Sequence, residues 1–420
     1  MIVHSTRGAS SAPIGEAIAQ GLAPDGGLYM PPQVPPTARA WPEAIAPCAL
    51  ELLKPLFADD PLAAHLPAIA AEAFTFDAPT RWIDPTTGLL ELFHGPTAAF
   101  KDFGARFLAA TLARLVPTSA TSTVLVATSG DTGAAVAAAF HRRPGFRVVI
   151  LYPDGRVSPR QAHQLGAFGD NVRTHRVAGT FDDCQRMVKA ALADRALVER
   201  HRLTSANSIS LGRLLPQMAY YAHAAVGAVR AGRDAPNFIV PTGNLGNAFA
   251  CLLARERGLP IGKVMLATNA NRALVALAAT GRYEPAATVA TLANAMDVGA
   301  PSNAERLLAR FPQVRHAVDA DWVDDEAIRG TIGAVHARHG IAICPHTACG
   351  MEVLRRLRAR GDEGTWIVAS TAHAAKFDSV VEPIIGSTVP VPTPLAELLA
   401  RPAHADPMPP DAAALARALD

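Results

Sequence analysis

From about residue 98 the apolar positions follow two alternating rhythms. Residues 98–116 carry apolar side chains at helical spacing and begin just after Pro96 and Thr97. Residues 123–127 (TVLVA) form a continuous β-branched and aliphatic run, the mark of a buried strand, and an Ala-rich helical stretch follows to about 140. The alternation repeats with strands at 147–152, 172–177, 237–243, 263–269 and 365–371. Helices are expected at 158–166, 182–197 and 211–230, from about 246, after 269 and after 374. Strands alternating with helices at this spacing predict an α/β fold of mostly parallel sheets flanked by helices. The first ninety residues are less regular, with a Pro- and Gly-rich stretch at 24–36 and helical patterns at 43–57 and 61–73. The segment after 389 is again Pro-rich and is expected to pack as loop and short helix.

A chain of 420 residues suits two or three domains. Apolar residues make up 50% and charged residues 18%, enough for a large core and too few charges for disorder. The 39 basic and 37 acidic residues leave a net charge of +2, so neither nucleic acid nor an anionic membrane is an expected partner. The N-terminus (MIVHSTRGASSAPIG) has no apolar signal core, and the uncharged stretch 214–229 is too short and too polar to span a bilayer. The five cysteines (48, 184, 251, 344 and 349) have no framework spacing and read as reduced thiols in a cytoplasm. Only five of the 39 basic residues are lysines, which singles out any lysine inside a motif.

Ligands of open α/β sheets bind at the carboxyl ends of strands, and four such loops stand out. In GPTAAFKDFGARF (95–107), Lys101 sits at a helix start, where the helix dipole disfavours a cation. Such a lysine is either a nucleophilic amine or a surface residue lying along its apolar stem. In ATSGDTG (127–133) a strand runs directly into a helix, giving an anion site or a plain tight turn. Its glycines miss the dinucleotide spacing, although Asp154 after the next strand keeps a nucleotide reading open. PTGNLGN (241–247) has the form of a phosphate cup without the Walker lysine. VASTAHAAKF (368–377) ends a strand in hydroxyls that could meet a ring nitrogen or cap a helix. Cys344, His346 and Cys349 lack the second ligand pair of a structural zinc site, so no metal is expected.

Taken together these loops resemble the threonine synthases, pyridoxal 5'-phosphate (PLP) enzymes of the tryptophan-synthase-β fold type, fold type II. The resemblance runs through STRG (5–8), GLAPDGGLYMP (21–31), ELFHGPTAAFKDFGARF (91–107), ATSGDTG (127–133), SANSISLGRLLPQ (205–217), PTGNLGN (241–247), AMDVGAPSNAER (295–306), PHTACG (345–350) and STAHAAKF (370–377). It implies that Lys101 is the Schiff-base lysine. It implies that Thr242, Gly243, Asn244, Leu245, Gly246 and Asn247 hold the cofactor phosphate, and that Thr371 faces the pyridine nitrogen. Ser129, Asp131 and Thr132 would lie over the cofactor, and Asn207, Ser208 and Arg213 would hold the substrate, with Arg213 on its phosphate. Ser210, Ala300, Ala304 and Ala374 depart from the usual pattern, and none of these departures removes a catalytic group.

The implied reaction converts O-phospho-L-homoserine and water to L-threonine and phosphate, the last step of threonine biosynthesis. A PLP-dependent serine or threonine dehydratase and a non-catalytic PLP-binding relative are the alternatives. The expected organisation is an N-terminal domain (1–90), a large PLP domain (91–120 with 200–390), an inserted smaller α/β domain (121–199) and a tail (391–420), acting as a monomer or homodimer.

Overall fold

The computed structural model describes residues 1–36, 41–116 and 121–420. Ser122–Ala127 and Trp366–Ser370 are buried at every position, as the apolar runs at 124–127 and 366–369 require of strands covered on both faces. They belong to two different sheets. The larger has the order Asp319–Trp322, Val264–Thr268, Asn237–Pro241, Trp366–Ser370, Thr87–Glu91, Thr80–Asp84 and is parallel except for the last strand. The smaller has the order Asp406–Met408, Val172–Val177, Phe146–Pro153, Ser122–Ala127, Leu203–Ser205 and is parallel throughout. A third, antiparallel sheet of Ile2–Ser5, Ser11–Pro13 and Tyr29–Met30 lies at the N-terminus. Among the described residues no helix is long and apolar enough to cross a membrane.

Helix boundaries follow local chemistry. Ser158 and Gln161 form a capping box on Pro159–Gly166, and Thr180 and Asp183 form another on Phe181–Ala193. The helix expected over 182–197 is two helices, because Asp194 ends the first and its carboxylate caps Arg195–His201. The helix expected over 211–230 is interrupted by a 3-10 turn at Leu215–Gln217, where Pro216 has no N–H to continue the ladder.

The sheets cut across the expected domain limits. Strands Thr80–Asp84 and Thr87–Glu91 pair within the larger sheet, so residue 90 lies inside it rather than at a boundary. Leu203–Ser205 joins the smaller sheet beyond the expected limit at 199. The expected limit at 120 lies outside the described residues. The tail adds a strand, Asp406–Met408, to the edge of the smaller sheet, where Pro407 is tolerated because one side of an edge strand is unpaired. Its last helix, Ala412–Leu419, packs on Phe181–Ala193.

This topology gathers the conspicuous loops. Thr87–Glu91, Trp366–Ser370 and Asn237–Pro241 are neighbours and parallel, so the loops that follow them leave from one edge side by side. The loop after Thr87–Glu91 then folds back on the loop after Trp366–Ser370. Phe100 N–H donates to the Thr371 carbonyl at 2.9 Å and His373 N–H to the Ala98 carbonyl at 3.0 Å. Ala98 adopts a positive φ of 54° to make this turn, and helix Lys101–Leu115 starts immediately beyond it. In the smaller sheet, Ser122–Ala127 and Leu203–Ser205 are adjacent, so SGDTG and SANSIS also emerge together.

Two glycines let helix Lys101–Leu115 close on the 210–214 turn. A Cβ on Gly104 would lie 2.7 Å from the Arg213 carbonyl, and one on Gly212 would lie 2.8 Å from Leu108 Cδ1. Gly104→Ala should therefore destabilise by about 1–3 kcal/mol through overpacking. Gly227, inside helix Met218–Arg230, has nothing within 4 Å of the added methyl, so its replacement by Ala should be neutral or stabilising. Thermal midpoints check this pair: Gly104→Ala should fall below the parent and Gly227→Ala should not.

Candidate active site

Lys101 opens helix Lys101–Leu115, and the turn before it is locked by Asp102. The buried Asp102 carboxylate accepts from Thr97 N–H at 2.9 Å and from Thr97 Oγ1 at 2.7 Å. Lys101 itself is half-buried and lines a cavity with Thr371 and the loop Thr242–Asn247. The same cavity is lined by Ser129, Asp131, Thr132, Asn207, Ser208 and Arg213. The residues that the resemblance assigns to cofactor and substrate thus meet around one space.

The loop after Asn237–Pro241 is braced by its own side chains. Thr242 Oγ1 donates to Asn247 Oδ1 at 2.6 Å, and Asn247 Nδ2 donates to the Pro241 carbonyl at 3.0 Å. Leu245 adopts a left-handed conformation with φ of 66°, turning the chain into helix Gly246–Glu256. Gly246 and Asn247 N–H open that helix, where the first N–H groups have no intrahelical acceptor and can meet an anion, while Ala248 N–H donates to Asn247 Oδ1 at 2.9 Å. A Cβ on Gly243 would strike the Met296 backbone at 2.7 Å, whereas one on Gly246 would meet its nearest neighbour at 3.5 Å. Asn244 spans the loop: Nδ2 donates to Ser208 Oγ at 2.5 Å and Oδ1 accepts from Ser302 N–H at 2.5 Å. Ser208 is therefore tied to this loop as well as lining the cavity.

On the opposite side, Thr128 Oγ1 accepts from Gly130 N–H at 3.0 Å and Gly133 N–H at 2.9 Å. Gly130 has φ of 128°, a conformation open to glycine, and its Cβ would collide with Gln161 at 2.6 Å. This turn aims Asp131 inward. Its Oδ1 lies 2.8 Å from Lys376 Nζ and accepts from Gln161 Nε2 at 2.9 Å. Arg213 is buried, with Nη1 donating to the Ala206 carbonyl and Nε without a partner. Asn207 Oδ1 and Ser210 Oγ are also buried without partners.

Burial governs the ionisation of these groups. It brings the Lys101 amine down to about 8; Asp131 opposes the shift, while Arg213 and Lys376 reinforce it. It brings the Arg213 guanidinium down to about 10 against the opposing pull of Asp102 and Tyr220. Burial alone would raise Asp131, but Lys376, Lys101 and His346 outweigh it and hold the carboxyl far below the usual range.

His346 was expected only within a cysteine cluster, yet it lines the cavity. Its Nε2 accepts from Ala295 N–H at 3.1 Å, which leaves the ring proton on Nδ1, 3.7 Å from Cys344 Sγ. Burial holds the imidazole neutral by lowering it to about 4, with Lys101 and Lys376 adding to the shift and Asp131 opposing it. Cys344 caps helix Pro345–Ala359 through Thr347 N–H, and burial raises the thiols of both Cys344 and Cys349. Gln217, another cavity residue not anticipated, donates from Nε2 to the Arg213 carbonyl at 2.6 Å. Asp154, the candidate ribose ligand, is half-exposed beside Arg176 at 3.8 Å and lies outside the cavity lining, which removes the support for a nucleotide site.

A lysine at a helix start, an anion-binding loop and a strand-end hydroxyl in one α/β cavity define the PLP-dependent enzymes of fold type II. The family described as pyridoxal-phosphate dependent enzyme matches residues 89–371. The threonine synthase N terminus and the threonine synthase C-terminal families match residues 3–74 and 347–419. This chain is 38% identical to the threonine synthase of Escherichia coli K12 over 95% of this chain and 94% of that one. The crystal structure of threonine synthase from Escherichia coli superposes with a TM-score of 0.92 at 36% identity, covering 100% of this chain and 99% of that chain. The PLP-bound threonine synthase from Brucella melitensis gives 0.89 at 32% identity over 100% and 98%. The chain belongs to the threonine synthase family.

The lowered Lys101 amine yields a direct expectation. In the cofactor-free protein, acylation of Lys101 followed by mass spectrometry should show a midpoint near pH 8. Burial disfavours the ammonium, so the reactive neutral amine persists to lower pH than in a solvated lysine. A midpoint at the ordinary 10.5 would contradict the electrostatics described.

Proposed function

We propose that this chain converts O-phospho-L-homoserine and water to L-threonine and inorganic phosphate, with Lys101 as the cofactor lysine and proton carrier. The observation that carries the reading is the convergence of two separate anion devices on Lys101: the loop Thr242–Asn247 and the buried Arg213, whose Nε has no partner. PLP fits this cavity. The Gly246 position leaves room for close approach of a phosphate, and a neutral hydroxyl, Thr371, lies in reach of the cavity beside Lys101. Bound there, PLP supplies the electron sink that allows a proton to leave Cα of an amino acid.

The chain's own groups do the rest. Thr242, Gly243, Asn244, Leu245, Gly246 and Asn247 hold the cofactor phosphate through the helix start. Thr371 offers a hydroxyl to the pyridine nitrogen, which does not demand the protonation a carboxylate would. Lys101, with its amine near neutrality, takes a proton from Cα and moves protons at Cβ, acting in turn as base and acid. Arg213 holds the substrate phosphate in bidentate fashion as it departs from Cγ. Asn207 and Ser208, with Ser129, Asp131 and Thr132 from the facing turn, orient the substrate and limit access to the water that adds at Cβ. A dehydratase would need only the first anion device.

A monomer or homodimer suits this reading, because the residues assigned to cofactor and substrate already line one cavity of the chain. The five buried cysteines, none of them in a disulfide, suit the reducing cytoplasm. A net charge of +2 supports a small-molecule substrate with no nucleic-acid partner.

Arg213→Ala tests the substrate assignment. It should lower kcat/KM for O-phosphohomoserine by roughly 30-fold or more while the visible band of bound PLP remains. Arg213→Lys should recover part of the loss, because it keeps the charge and loses the planar fork. An Arg213→Ala enzyme that turns over at the parental rate would refute the role.

A further inference from the structure

Lys376 lies on the 3-10 turn Ala374–Phe377, at the end of the loop after Trp366–Ser370, and is fully buried. Its Nζ donates to the Thr97 carbonyl at 2.7 Å and sits 2.8 Å from Asp131 Oδ1. Asp131 is the only carboxylate among the residues described as lining the cavity, which also presents Lys101, Arg213 and His346. In a poorly solvated space one carboxylate facing two amines has a choice of partner, and its choice sets which amine stays charged.

We propose that Lys376 is a positioning residue that occupies Asp131 and so prevents it from pairing with Lys101, leaving the Lys101 amine free for the cofactor and for proton transfer. The inference rests on the reading of Lys101 as the reactive amine.

The geometry supports this in three ways. Lys376 is anchored from behind by Thr97, the same residue that clamps Asp102 at the start of the Lys101 helix. Gln161 donates to the same Asp131 oxygen that Lys376 engages, which fixes the carboxylate orientation. The segment is also held independently of the Lys376 charge: Ser158 Oγ donates to the Lys376 carbonyl at 2.7 Å, Arg160 Nη1 donates to the Ala375 carbonyl at 2.6 Å, and Arg160 Nε lies 3.2 Å from Asp378. The two sheets' loops are thus fastened together by other contacts, and the ammonium of Lys376 is left with an electrostatic task. The charged and titratable groups around it are Asp131, Lys101, His346, His373 and Asp102; Arg213 acts on Lys101, and the Cys344 thiol, raised by burial, neighbours Asp131. Asp102 is committed to Thr97, and both histidines are held neutral by burial, so Asp131 is the carboxylate whose charge acts on both amines.

The test uses the full-length, cofactor-free protein and reads the pH midpoint of Lys101 acylation by mass spectrometry, with no substrate present. Lys376→Met removes a like charge from Lys101 and releases Asp131 to it. Both effects favour the ammonium, so the midpoint should rise by about one pH unit or more. Lys376→Arg keeps the charge and should leave the midpoint near that of the parent. In the double variant Lys376→Met with Asp131→Asn no carboxylate remains, and the midpoint should fall back at least to the parental value. Should Lys376→Met not fold, Lys376→Gln, which removes the like charge while retaining donors for Thr97 and Asp131, should raise the midpoint in the same direction by a smaller amount. A purely structural bolt predicts lower thermal stability with an unchanged Lys101 midpoint, and that result overturns the proposal. Failure of the phosphohomoserine assay would not move this readout, so the two readings fail separately.

Discussion

The active cavity concentrates positive charge away from water. Lys101 and Arg213 line a space in which Asp131 supplies the carboxylate, with Lys376 buried against Asp131, and burial lowers the amine of Lys101 and the guanidinium of Arg213. Holding cations in such a place is costly unless they are paired or discharged. The fold meets the cost in three ways: Lys376 pairs with Asp131, Lys101 gives up its proton near neutrality, and Arg213 leans on the Ala206 carbonyl while keeping Nε unpaired. What remains is a site short of negative charge, suited to a phosphorylated cofactor together with a phosphorylated substrate.

That arrangement depends on backbone approaches that side chains would forbid. Gly104 lets the Lys101 helix touch the Arg213 carbonyl, and Gly130 lets the SGDTG turn present Asp131 under Gln161. The pairing of residues 98–100 with 371–373 then sets Lys101 beside Thr371. These contacts join loops from separate strands, so the chemistry rests on two sheets whose carboxyl ends face one cavity.

Much of this was legible in the sequence because the signals are local. Buried strands such as Ser122–Ala127 read as unbroken apolar runs, and the turns after them carry glycine and hydroxyl residues at fixed offsets. What escaped notice depends on distant partners or on short elements. Thr80–Asp84 is half-exposed and patterned too weakly to announce an edge strand, and Asp406–Met408 contains a proline that argues against any strand. The split of 182–197 was visible only in retrospect at Asp194, a polar residue whose capping role needs the following helix to exist. His346 looked like part of a thiol cluster because its partner, Ala295 N–H, lies far away in the chain. The tie between Lys376 and Asp131 likewise joins motifs that no local spacing connects.

Threonine synthase chemistry breaks a carbon–oxygen bond at Cγ and adds water at Cβ. Incubating the holoenzyme with O-phospho-L-homoserine in water enriched in oxygen-18 tests it most directly. The expected product is threonine carrying one labelled oxygen in its hydroxyl, with equimolar phosphate that is unlabelled at early times. Labelled phosphate with homoserine as co-product would mean cleavage at phosphorus, and 2-oxobutyrate in place of threonine would mean a dehydratase; either result would contradict it.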